Sequence, residues 1–144
     1  MTNPKCPYCH ANAALVKGLT LYPRFLSTLV EDSLNKQYFW VCPHECDAYV
    51  GCYDGTQRPK GTLANRELRR ERAITYNSLK AIWEKGFKAQ QETYAWIREE
   101  LGLSKIACHI GKFDMDLCKA VQEVVKQYMA AKHLEAAINI GDEK

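Results

Sequence analysis

The sequence has no apolar run near the roughly 18 residues that a membrane-crossing helix requires, so no membrane partner is expected. Its first residues, Met1 to Cys6, carry no apolar secretory core, and a cytoplasmic location is expected. Charge of one sign is scarce. The 20 Lys and Arg against 17 Asp and Glu leave a net charge of +3, and the pI is about 8.4. Dedicated nucleic-acid binders often lie above about 9, so this balance permits such a partner without requiring it. There is no glycine-rich phosphate loop, no Gly-x-Ser-x-Gly turn and no paired-carboxylate signature, and no small-molecule substrate is evident. No low-complexity tract interrupts the chain. The remainder, 47% hydrophobic and 26% charged, is ordinary for a soluble globular protein of 144 residues.

Cysteine is what the sequence does have, seven in all, and four of them stand in two close pairs. The pairs are Cys6-Pro7-Tyr8-Cys9 and Cys42-Pro43-His44-Glu45-Cys46. Two such pairs suit one tetrahedral Zn²⁺ with Zn–S distances of about 2.3 Å, and the proline in each presets φ for a turn around the ion. Without a secretory signal, an odd number of cysteines fits metal binding in a reducing compartment better than disulfides. Cys6, Cys9, Cys42 and Cys46 are therefore the expected ligands of one structural zinc. His44 replaces Cys46 only if the loop is strained, and His10 reads as an exposed or supporting residue. Four thiolates leave no open coordination position, which argues against an enzyme.

The remaining cysteines read as packing residues. Cys52 lies close enough in sequence to approach the metal, but burial is the commoner fate of a free cysteine. Cys108, His109 and Cys118 could be drawn as a second metal site, and His109 with Asp114 and Asp116 as a catalytic one. A helix start explains them more simply, with Asp114 as N-cap and Phe113 packed on the first turn.

Ala13–Val16, Tyr38–Val41 and Ala48–Val50 are short runs rich in strand formers beside the cysteine pairs, the plan of a zinc ribbon. Phe25, Leu26, Leu29, Val30 and Leu34 have helical spacing and place a short helix between the first two strands. Asp54–Gly61 reads as a turn-rich linker. Three helices follow. The first is capped by Thr62 or Asn65 and runs to about Lys85, with Leu68, Thr75, Leu79, Ile82 and Trp83 inward and Gly86 ending it. The second covers about Phe87 to Leu101, with Phe87, Gln90, Tyr94, Ile97 and Leu101 on one face and Gly102 closing it. The third begins after Asp114, runs to about Ala137 and buries Leu117, Val121, Val124, Tyr128 and Ala131. The expected fold is α+β, with a zinc-ribbon module over 1–55 packed on a bundle of three helices over 56–144.

Arg66, Arg69 and Arg70 share one face of the first of these helices, and Lys80 falls near that face two to three turns on. Such a stripe suits phosphates of DNA or RNA; a solvated face paired with Glu67 and Glu71 is the plainer reading. Aromatics near the ribbon, Tyr8, Tyr22, Tyr38, Tyr49 and Tyr53, supply stacking surfaces or the ribbon's own core.

Cys6-Pro7-Tyr8-Cys9, Trp40-Val41-Cys42-Pro43, Ala48–Cys52, Gly61–Asn65, Tyr94-Ala95-Trp96 and His109–Asp114 together resemble the zinc-finger-containing domain family of uncharacterised bacterial and phage proteins, over about residues 5–125. The resemblance implies a metal-binding domain. The chain departs from the pattern with a third residue inside the second cysteine pair, and with Cys52-Tyr53 where the family tends to have Cys-His. The departures imply a diverged member of this phage and bacterial family. The expected function is a non-enzymatic zinc protein that binds nucleic acid. The alternative is a module that docks on and inhibits a host enzyme or defence complex, with Tyr22, Tyr53 or Trp96 as contact residues.

Overall fold

The computed structural model describes residues 3–21 and 36–142. Ala14–Lys17 (β1), Tyr38–Val41 (β2) and Tyr49–Gly51 (β3) form an antiparallel sheet in the order β1-β2-β3. The register sets Leu15 opposite Trp40 and Trp40 opposite Val50, so the three side chains share one face. A single helical turn, Gly18–Leu21 (α1), follows β1. The helix expected over Phe25–Leu34, with Tyr22 before it, lies outside the described residues. The sheet's core consists of Cys6, Ala13, Cys42, Ala48, Val50 and Leu63, with Trp40 and Cys46 packed against it. Most of these side chains are small, so the sulfurs make up much of what the sheet buries.

After β3 the chain folds back on the sheet. The Tyr53 N–H donates to the Arg58 carbonyl at 3.0 Å, and the Lys60 N–H to the Gly51 carbonyl at 2.9 Å. Tyr49 and Ala64 exchange both backbone hydrogen bonds, at 3.1 and 3.0 Å. The stretch expected as a linker is therefore part of the ribbon. By their contacts the residues divide into two compact units, 1–69 and 70–144, rather than at residue 55.

Arg66–Glu84 (α2) begins where the Asn65 side chain accepts the Leu68 N–H at 3.0 Å, which selects Asn65 over Thr62 as the cap. Leu68, Thr75, Leu79 and Ile82 are buried, as their spacing requires. The buried Thr75 hydroxyl is satisfied by the Glu71 carbonyl at 2.8 Å. Gly86 leaves the helix at φ +76°, and the Phe87 N–H turns back to the Ile82 carbonyl at 3.1 Å. That closing bond keeps Phe87 out of the next helix, Gln90–Leu101 (α3), which starts later than its periodicity predicts. The buried positions of α3 are Thr93 and Ile97, while Phe87 and Gln90 stay exposed. Gly102, at φ +65°, ends it by donating to the Arg98 carbonyl.

A 3₁₀ turn, Ile110–Lys112, leads into Met115–Asp142 (α4), five residues longer than expected. Its buried stripe also differs from the expected one: Cys118, Val121 and Val125 are inside, Leu117, Val124 and Tyr128 half-buried, and Ala131 exposed. Partners on α2 set this rotation. The Gln122 amide donates to Glu71 at 2.9 Å and to the Thr75 hydroxyl at 3.0 Å, which turns Cys118 and Val121 inward. The Asp114 carboxylate caps α4 by accepting the Leu117 N–H at 2.8 Å. Asp114→Ala should cost about 1 kcal/mol, or roughly 4–8 °C of melting temperature for a unit of this size, read by circular dichroism at 222 nm. An unchanged melting temperature would show that the cap contributes nothing.

Candidate metal centre

Both cysteine pairs sit on tight backbone knuckles at the edge of the sheet core. In the first, the Cys6 N–H donates to the Ala11 carbonyl at 2.9 Å and the His10 N–H to the Cys6 carbonyl at 2.8 Å. In the second, the Cys42 N–H donates to the Ala48 carbonyl at 2.8 Å. The second closing bond thus spans one residue more than the first, which is how the longer Cys42–Cys46 loop is absorbed. Each knuckle then reverses through a left-handed residue directly after its second cysteine, His10 at φ +65° and Asp47 at φ +51°. The extra residue lies between the cysteines and does not disturb the reversal. The backbone N–H two residues past a sulfur points back at it in both knuckles: His44 donates to the Cys42 Sγ at 3.3 Å, and Ala11 to Cys9.

The sulfurs of Cys6, Cys9, Cys42 and Cys46 all lie within 4.8 Å of one another. A tetrahedron of Zn–S bonds of about 2.3 Å has edges of about 3.8 Å, and the Cys9–Cys42 separation is 3.6 Å. All seven cysteines are free thiols. The donor set, four soft sulfurs in two knuckles with N–H groups aimed at them, fits one zinc ion closed to further ligands. Cys6 and Cys42 are buried and Cys46 half-buried.

The four thiols hold their protons unequally without metal. Burial raises Cys42, but the His44 N–H and the neighbouring sulfurs of Cys9, Cys6 and Cys46 outweigh it and bring the thiol down to about 7. Burial, then hydrogen bonds with the sulfurs of Cys9, Cys42 and Cys6 and the charge on Cys42, pushes Cys46 up to about 12. Cys9 is lowered by the Ala11 N–H, yet burial and its sulfur neighbours leave it raised. The cluster therefore carries its first negative charge on Cys42, and a divalent cation replaces the protons that remain.

Among the described residues no other group of His, Cys, Asp and Glu converges in this way. His44 is exposed and contributes its backbone rather than its ring. Cys52 is fully buried beside β3 and stands outside the cluster. The Cys108 thiol donates to the Tyr94 carbonyl at 3.7 Å, Cys118 is buried on α4, and the His109 Nδ1 accepts the Gly111 N–H at 3.1 Å. That region is a helix start, as its simpler reading predicts.

The four cations expected to form one stripe are not equivalent. Arg66 and Arg70 are exposed on α2. Arg69 turns into the ribbon instead. Its guanidinium donates to the Asp47 carbonyl at 2.6 Å, the Ala64 carbonyl at 2.8 Å and the Asp47 carboxylate at 3.2 Å, and lies 3.9 Å from the centre of the Tyr49 ring. It braces the left-handed residue that closes the second knuckle, a role that only the fold reveals. Lys80 pairs with Glu84 at 3.4 Å, one turn on. The Tyr8 hydroxyl, from the first knuckle, accepts the Asn65 N–H at 3.1 Å.

A model of the family described as a zinc-finger-containing domain matches residues 2–128. The chain belongs to that family. Comparison with curated proteins and with solved structures returns no match. The family match spans both knuckles, the sheet, α2, α3 and the first half of α4, so the zinc centre and most of the helical unit belong to the family domain. Among the described residues no helix is long and apolar enough to cross a membrane.

Proposed function

We propose that this is a non-enzymatic, cytoplasmic zinc protein that binds nucleic acid through the outer face of α2. The observation that carries the reading is the state of Arg66 and Arg70. They are one turn apart, exposed, and neither has an ion-pair or hydrogen-bond partner among the described side chains. Unpaired guanidiniums at helical spacing suit successive phosphates. Lys80 extends the stripe, since its exposed pair with Glu84 is weak and exchanges readily for a phosphate. Arg69 acts as a positioning residue that holds the start of α2 on the second knuckle. A zinc saturated by four thiolates supports a non-enzymatic reading because it has no position left for substrate or water. Seven free thiols suit a reducing cytoplasm.

The test is fluorescence anisotropy with short single- and double-stranded DNA and RNA over a range of salt, on protein carrying one zinc. Affinity should fall steeply with salt. An Arg66→Ala/Arg70→Ala variant should lower the slope of log K against log salt by about 1.5–2 while keeping its zinc. No complex with any of the four nucleic acids at low salt would overturn the reading and make a protein partner the one to seek.

A further inference from the structure

Beside the sheet, and apart from the α2 face, the ribbon contains a preformed slot of about 510 Å³ walled by Trp40, Pro4 and Pro59, with Asn3, Gln57 and Arg58 around it. Its volume is in the range of small-ligand clefts, about 300–1,000 Å³. We propose that this slot receives one unpaired nucleobase of a single strand, stacked in the Trp40 wall with its phosphates on the cationic rim. The inference rests on the nucleic-acid reading above.

The chemistry of the walls restricts the occupant. The Trp40 indole N–H already donates to the Gln57 carbonyl at 2.8 Å, so the ring offers the slot its apolar faces and edges but no donor. A lining that combines two prolines with an indole favours a flat, apolar guest. The rim is cationic. Arg58 is exposed, its guanidinium lies 4.8 Å from the centre of the Tyr53 ring, and among the described residues no carboxylate lines the slot. Lys5 and Lys60, next in sequence to Pro4 and Pro59, are exposed as well. A flat apolar guest that brings negative charge at its edge is a nucleobase with its backbone phosphate.

The slot is held open before any ligand arrives. Thr56 donates to the Tyr53 carbonyl from its N–H at 2.9 Å and from its hydroxyl at 2.8 Å, and the hydroxyl accepts the Arg58 N–H at 3.2 Å. The loop therefore needs little ordering on binding, which favours affinity. A base locked in a duplex cannot enter, so the slot selects single strands. Base–aromatic stacking corresponds to roughly 5- to 150-fold in affinity per base.

Three labelled probes decide the matter: a short oligothymidylate, an abasic deoxyribose-phosphate strand of the same length, and the corresponding duplex. The oligothymidylate should bind at least about fivefold more tightly than the abasic strand and shift the Trp40 indole N–H resonance, assigned through Trp40→Phe. Asn3→Trp, placed to fill the slot, should remove that preference, and Arg58→Glu on the phosphate-binding rim should weaken both strands alike, while zinc content stays at one per chain. Equal affinity for base-bearing and abasic strands, with the Trp40 resonance unmoved, would overturn the slot and leave the α2 reading standing. Failure of all three probes to bind would overturn the slot, and the α2 reading falls with it only if single- and double-stranded RNA fail to bind as well.

Discussion

Cys42→Ser is expected to reduce bound zinc from one ion per chain to near zero and to unfold the sheet. Cys42 is buried, accepts the His44 N–H, and approaches Cys9 at 3.6 Å. A serine hydroxyl keeps its proton and does not replace a thiolate. Structural zinc contributes roughly 10–16 kcal/mol in small zinc-folded peptides, as much as the whole stability of a typical domain. The sheet has little to offset that loss, because the side chains packed with the sulfurs are Ala13, Ala48, Val50 and Leu63 with part of Trp40, and Phe39 is the large buried side chain the strands add. Elemental analysis and the amide spectrum of residues 3–69 read the outcome, and a chelator should reproduce it. Cys52→Ala supplies the contrast. Cys52 is as buried as any of the four but lies outside the cluster, so this variant should retain its zinc. If Cys42→Ser retained a full equivalent of zinc, the four-sulfur centre would be wrong.

The same centre fixes the pH dependence. Without metal, Cys46 is protonated until about pH 12 and Cys9 is raised above its ordinary value, so at neutral pH both surrender protons when zinc binds. Rising pH removes that competition, and apparent zinc affinity should increase roughly a hundredfold or more per pH unit between pH 7 and 8. Below about 7 the Cys42 proton adds to the competition and the dependence steepens. Competition titrations against a chromophoric chelator measure it, and a flat profile would contradict sulfur ligation.

Phe113→Ala should cost about 3–5 kcal/mol, enough to bring the helical unit close to unfolding. Phe113 is the largest fully buried side chain among the described residues and sits just before α4. Its carbonyl accepts the Arg72 Nε–H at 2.9 Å, and its N–H closes the 3₁₀ turn onto Ile110. Removing the fully buried ring leaves a cavity that the surrounding close-packed structure fills only in part. Phe113→Leu should cost far less, about 1.5 kcal/mol, because it conserves most of the volume. Ile106 is 75% exposed, and Ile106→Ala should change stability by no more than about 0.5 kcal/mol. Urea unfolding followed at 222 nm distinguishes the three. A Phe113→Ala variant within about 1 kcal/mol of the parent would refute the assignment of this ring as the anchor of the unit.

Much of this architecture is legible from the chain alone because the signals are local. The spacing within each cysteine pair names the four ligands, since a tight knuckle brings two sulfurs a few residues apart to one side of the turn, where a metal can take both. β-rich runs beside the pairs locate the three strands to within a residue. Asn65, Gly86, Gly102 and Asp114 mark helix ends because a capping side chain or a positive φ acts on groups three or four positions away. What the tertiary structure decides involves partners distant in sequence. The rotation of α4, which buries Cys118 and Val125 rather than Val124 and Ala131, follows from the bonds of Gln122 to Glu71 and Thr75, and apolar residues around much of that helix leave its periodicity ambiguous. Arg69 has the same helical address as its neighbours, yet the carbonyls of Asp47 and Ala64 draw it out of the cationic face. Pro4, Trp40 and Pro59 form one slot only because the sheet and the returning loop bring three separate segments together. Caps and ligand spacing act over one turn of chain and are written in sequence; burial, pairing and cavities arise where segments meet, and only the folded chain determines them.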